Sequence, residues 1–147
     1  MARGKSYSVD NPDALASAIN GLDEAFSESV LRRAAAAGTT VFKDEIALRV
    51  PRDSGDLAAG LTVAFDQEDS VAGAIATYIA LFVGDTKPKG PNKKKVSRRA
   101  LAGWLENGTS KMAAQPFVRP AFEAAKKRAV ERSNEVIIAA LNKKGGP

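Results

Sequence analysis

The 147-residue chain contains neither cysteine nor histidine. Their absence removes a disulfide framework, a thiol nucleophile, the Ser-His-Asp and Cys-His arrangements and nearly all zinc chemistry. Missing cysteine does not diagnose a compartment, but nothing demands an oxidising one. Long apolar runs are absent too. No window approaches the roughly 18 consecutive apolar residues of a membrane span, so no membrane partner is expected. Met1-Ala2-Arg3-Gly4-Lys5-Ser6 has no apolar run behind it, so no secretory leader is expected. Catalysis would then need paired carboxylates, a lysine or an activated Ser or Thr. Glu106 is the best candidate carboxylate, but it reads as an acid at a helix end, where an exposed acid is ordinary. Asp53 and Asp56, three apart around Ser54-Gly55, lack the ladder of oxygen ligands and the closing glutamate of a calcium loop. They read instead as turn residues bonding nearby backbone amides. The stretch from Gly84 to Gly90 has the glycines and lysines of a phosphate loop but not its Gly-Lys-Ser/Thr ending or the apolar helix that must follow. Neither an enzyme nor a cofactor or metal is expected.

What is present is a charge of one sign in one place. The formal net charge is +5, and Lys87, Lys89, Lys93, Lys94, Lys95, Arg98 and Arg99 form a block opposed nearby only by Asp85. Without that block the chain is slightly acidic, so this is a nearly neutral domain with one basic loop. The loop, residues 85–97, is rich in Pro and Gly and cannot bury itself. Its ordinary reading is a solvated surface run. It holds no aromatic residue on which a base could stack, and no helix-turn-helix pattern is visible. Sequence-independent phosphate contact stays open.

Length favours one domain, with many alanines implying a core made by closely approaching helices. Residues 6–9 suggest a short strand. Asp10-Asn11-Pro12 starts a short helix whose apolar face is Leu15, Ala18 and Ile19, ending at Gly21. A long helix follows from Asp23, its cap, to Arg49. Its stripe is Phe26, Val30, Ala34, Ala37, Val41 and Ile46, widened by Leu31 and Phe42. It should continue through Gly38-Thr39-Thr40 and stop before Pro51. Leu61–Phe65 alternates as a half-buried strand; an acidic turn covers Asp66–Ser70; β-branched and aromatic residues from Ile75 to Val83 make one or two further strands, antiparallel to the first. A helix runs from Arg98 to Leu105, capped near Ser97, and Asn107-Gly108 stops it. Asn107-Gly108-Thr109 fits the glycosylation pattern, but without secretion it is a helix stop. A second long helix extends from Pro120 to about Leu141, with Phe122, Ala125, Ala129, Val130, Ser133, Ile137, Ala140 and Leu141 as its apolar stripe. Residues 143–147 read as a frayed end. The expected architecture is α+β, a small antiparallel sheet with two long helices packed on one face.

Glu106-Asn107-Gly108-Thr109-Ser110-Lys111, a small-residue spacer, and Gln115-Pro116-Phe117-Val118-Arg119-Pro120-Ala121 resemble the hallmark of a family of small tail components of tailed phages. These are the head–tail joining or tail-completion (neck) proteins of long-tailed phages and prophages. Upstream, Val50-Pro51-Arg52-Asp53-Ser54-Gly55-Asp56-Leu57 is similar to another motif of the family, the first of the two in chain order, with Pro51, Gly55 and Leu57 at its defining positions. The pair covers the chain from about residue 22 to 141. Asn107 stands where a bulky residue is usual, and the basic loop is longer than usual, which makes that loop's function particular to this chain.

The resemblance implies a structural virion protein, assembled in the bacterial host cytoplasm and located at the neck. It implies a head-to-tail ring, a hexamer or dodecamer, that meets neighbouring connector and tail proteins. Such a ring needs two complementary patches per subunit. The basic loop can supply one by ordering on a neighbour, with Glu68-Asp69 as an acidic counterpart; alternatively the loop lines a lumen through which genome DNA passes. A tail terminator and a soluble DNA-associated accessory protein are the alternatives. The motif residues are given structural roles. Gly108 permits a helix end that a Cβ obstructs, Phe117 and Phe122 pin the last helix onto the sheet, and Arg119 pairs with a carboxylate, Glu106 first. Thr109 opens the short linker that runs to Gln115, and Pro116 and Pro120 bracket Phe117 and Val118 and launch the last helix.

Overall fold

The computed structural model describes residues 11–25, 27–52, 55–88 and 94–143. Among them are four α-helices, a short 3-10 turn and a two-stranded antiparallel sheet, an α+β fold. The strand expected at residues 6–9, the side chains of Phe26, Asp53, Lys89 and Lys93, and residues 144–147 lie outside the described residues.

Helix α1 spans Pro12–Ala25. Asn11 caps it, its side-chain oxygen accepting the Ala14 N–H at 3.0 Å. It does not end at Gly21, and Asp23 lies inside it rather than capping the next helix. A single glycine weakens a helix by only about 1 kcal/mol, too little to stop one by itself. The next helix, α2, spans Glu28–Arg49, and the carbonyl of Ser27 accepts the N–H groups of Val30 and Leu31, both at 3.0 Å.

Helix α2 continues through Gly38-Thr39-Thr40, as its pattern suggests. The long C-terminal helix α4, Val118–Asn142, crosses it there, running antiparallel. A Cβ on Gly38 would sit 2.3 Å from the Ser133 hydroxyl and 3.1 Å from the Ala129 carbonyl. Ser133 instead donates to the Ala34 carbonyl at 3.0 Å. The Thr39 and Thr40 hydroxyls return to the carbonyls of Ala35 and Ala36. The helix-weak triplet is therefore a place where the two helices approach closely. On α4 the row facing α2 is Ala121, Ala125 and Ala129, all buried. Because these small residues take the contact, Phe122 and Val130 do not point inward as their spacing suggested; they are 52% and 59% exposed.

The sheet consists of β1, Leu61–Val71, and β2, Ile75–Phe82, paired in a register that sets Leu61 opposite Phe82 and Phe65 opposite Tyr78. Asp66–Ser70, expected as a turn, belongs to β1 and contains an irregularity in the pairing. Side chains sustain it: the Asp66 carboxylate accepts the N–H groups of Glu68 and Asp69, and the Ser70 hydroxyl bonds the Asp66 carbonyl and accepts the Thr77 N–H. The turn lies beyond, at Ala72–Ala74, where Gly73 has φ +73°.

The layering also departs from expectation. α2 lies against both strands, whereas α4 packs chiefly on α2. α4 meets the sheet through its entry, where the Phe117 ring sits edge-on to Phe82 with centroids 6.1 Å apart. The core gathers at that end of the molecule: Ile46, Val50, Leu57, Leu61, Ala102, Phe117 and Ala121 form one buried cluster.

Candidate functional site

Helix α3, Arg98–Asn107, ends where the second motif begins. Gly108 has φ +76°, and a Cβ there would lie 2.9 Å from both the Ala114 nitrogen and the Met112 carbonyl. Only glycine tolerates both the left-handed angle and the crowding. Thr109 and Met112 then exchange backbone hydrogen bonds of 2.8 and 3.2 Å, and the Gln115 N–H returns to the Leu105 carbonyl at 2.7 Å. This tight turn brings the start of α4 back over the end of α3, in front of Glu106. The Glu106 carboxylate accepts the N–H groups of Phe117, Val118 and Arg119 at 2.7, 2.9 and 3.0 Å. It thus serves as the cap of a helix that begins twelve residues later, filling donors that α4 cannot satisfy itself. Burial alone would push its pKa up, but the three backbone N–H groups, with the Arg119 guanidinium, outweigh that and hold it below the usual carboxylate range. The expected Arg119–Glu106 pair forms at 3.8 Å with Arg119 77% exposed, so it is the lesser part of the arrangement. Pro116 and Pro120 are exposed beside the turn, and Phe117 between them is buried.

The first motif performs a parallel task. Gly55, with φ +69°, turns the chain after α2, Pro51 is half-buried and Leu57 enters the core. Asp56, read as a local turn residue, reaches further: it accepts the Lys87 N–H and the Arg98 guanidinium, both at 2.7 Å. The Arg98 hydrogen bond first, then that N–H, lower its pKa. Arg98 lies over Gly60 and Gly84, where a Cβ would come within 2.3 and 2.9 Å of its side chain. Arg98 is therefore a clamp, fixed and largely covered, and is removed from the set of free loop cations.

That clamp closes the neck of the basic loop. Asp85 bridges Ser97, the Thr86 N–H donates to the Val96 carbonyl at 2.8 Å, and the Arg98 N–H donates to the Gly84 carbonyl at 2.9 Å. Lys87, Lys94, Lys95 and Arg99 are exposed around this base; Lys89 and Lys93 are outside the described residues. The loop issues from the end of the molecule at which Leu57 and Phe117 share the core.

Two features escape sequence reading. Glu45 is buried at the α2–α4 contact and pairs with Arg49 and Arg128. Its pKa is lowered, chiefly by the hydrogen bond from Arg128, against an opposing push from burial. Its four-residue spacing from Arg49 is legible, but Arg128 is far along the chain. The second is a groove between α4 and β2 with α2 as its floor, where Phe42 and Phe122 stack with centroids 5.1 Å apart.

No helix among the described residues is long and apolar enough to cross a membrane. No protein-family model matches the chain, and no curated protein or solved structure matches it either.

Proposed function

We propose that this chain is a structural virion protein of a long-tailed phage or prophage, acting in the neck at the head–tail junction as an oligomeric ring. The role is assembly, in tail completion or head–tail joining, rather than catalysis. The observation that carries the proposal is the convergence of the two motif segments: Leu57 of one and Phe117 of the other enter the same buried cluster, and Asp56 ties the base of the basic loop beside them. The residues behind the resemblance thus act as one unit that fixes how α3, α4 and the loop are presented. The exposed surface supports an assembly role. Large apolar side chains, Leu48, Ile79, Trp104, Phe122 and Val130 among them, are exposed. Such a surface suits a chain that finishes burying itself against partners: further copies, and the connector and tail proteins on either side.

Electron microscopy of a lysate from a phage or prophage with an early stop codon in this gene tests the proposal. Full heads and finished tails that fail to join are expected. Tails of uncontrolled length would instead indicate tail termination, and intact infectious particles would overturn the neck role. DNA contact is a second reading, favoured by the exposure of Lys87, Lys94, Lys95 and Arg99 around one loop. It requires salt-dependent retardation of nonspecific duplex DNA by the purified protein, strongest at low salt.

A further inference from the structure

The sheet is too narrow for the helices beneath it. Strands lie about 4.8 Å apart and packed helices about 8–10 Å apart, so two strands cover about one helix. α2 receives that cover, and α4 is left beside it. The result is the groove floored by α2 and walled by β2 and α4, made of two adjoining hollows of about 240 and 340 Å³.

Both walls are suited to receiving a strand. The Val83 N–H donates to the Gly60 carbonyl at 2.8 Å, which in this register makes Thr62–Leu81 and Ala64–Ile79 the hydrogen-bonded pairs. By the alternation of an antiparallel ladder, Ala76, Tyr78 and Ala80 direct their N–H and C=O groups away from β1, to the side where the groove lies. Among the described residues these groups have no strand partner; the Thr39 hydroxyl touches the Tyr78 carbonyl at 3.4 Å. On the opposite wall, Val118, Phe122, Lys126, Val130 and Asn134 fall on one four-residue row of α4. An unpaired sheet edge beside an exposed apolar row is an open site for β-strand addition.

The same chain carries an occupant of matching size and charge. The end of the hairpin is exposed at every position from Val71 to Ile75, with Val71 54% and Ile75 55% exposed. It is two strands wide, the width of cover that α4 lacks. Residues 67–75 include Glu68 and Asp69 and no cation, whereas α4 has five cations against three acids, with Lys126 on the row beside the groove. We propose that the β2–α4 groove receives the distal hairpin, residues 67–75, of a second copy of this chain. Where a subunit gives its hairpin to one neighbour and receives that of another, the contact is head-to-tail and propagates into a ring or a filament. It rests on the ring reading above and supplies the two patches that reading needs.

The absence of native cysteine makes the test direct. Val71→Cys and Val130→Cys change exposed positions, and each variant should keep the parent's unfolding midpoint. Mixed and mildly oxidised, they are expected to cross-link with one another while each alone stays uncross-linked. Glu68→Lys with Asp69→Lys in the Val71→Cys protein should lower the yield about tenfold, and Lys126→Glu with Lys127→Glu in its partner should restore it. Val130→Cys cross-linking to itself as readily as to Val71→Cys would overturn the proposal, as would no cross-link at the highest soluble concentration. Failure here with unjoined heads and tails in the stop-codon lysate removes this contact and leaves the neck role. Cross-linking together with intact stop-codon particles removes the neck role and leaves the contact.

Discussion

Glu106 holds three amides of another helix, and its loss should be felt far more than that of its charged neighbour. Glu106→Ala leaves those donors unpaired and is expected to cost about 1–3 kcal/mol in urea denaturation. Arg119→Ala, at an exposed position, should stay within about 0.5 kcal/mol of the parent. Similar losses for both would mean that the ion pair, not the cap, matters. Glu106, Asp56 and Glu45 all have folded-state pKa values below their ordinary ones. A depressed folded pKa contributes stability that is present above the unfolded value and lost as pH falls through the folded one. With no histidine, stability measured by denaturation should be level between about pH 5 and 8 and fall steeply below the ordinary carboxylate range. A decline beginning near neutrality would contradict these assignments. At this scale Gly108 was legible, because a helix end makes a steric demand that a sequence displays. The cap was not, since bringing Glu106 to the amides of residues 117–119 depends on the folded turn at 108–115. Asp56 escaped for the same reason, with its partners about thirty and forty residues away.

Among the elements, the helices and strands were readable from periodicity, and their facing was not. Hydrophobicity put Phe117 and Phe122 both inward. The alanine row at 121, 125 and 129 takes the helix contact and turns Phe122 into the groove. Phe117→Ala should therefore cost about 3–5 kcal/mol and Phe122→Ala much less. Equal losses would restore the inward assignment of Phe122. The close crossing at Gly38 gives a second check. Gly38→Ala pushes against the Ser133 hydroxyl and the less movable Ala129 carbonyl, so destabilisation is expected although alanine is the better helix former. Pairing it with Ser133→Ala should recover part of the loss in a double-mutant cycle; an additive result would place the strain elsewhere. The acidic segment 66–70 reads as a turn by composition, but the Asp66 and Ser70 hydrogen bonds let the strand continue through it. The break between α1 and α2 likewise lacks the glycine that seemed to mark it.

For the whole molecule, the α+β architecture follows from counting elements, whereas the open groove depends on their widths and packing order. The basic loop is held at its base by Asp56 and Arg98, which gives its exposed lysines a defined position relative to the core. Charge reversal of Lys93, Lys94 and Lys95 should reduce the yield of joined particles in a complementation assay while leaving the purified protein folded. Normal infectivity would show that the loop contacts neither a neighbour nor DNA in any way that assembly needs. The proposed place at the neck is open to a cryo-EM map of intact virions from a phage or prophage in which this gene is found. A ring of copies between portal and tail tube, each subunit's hairpin seated against α4 of the next, is expected. Density at the neck into which this fold cannot be placed, or the protein absent from purified particles, would contradict it.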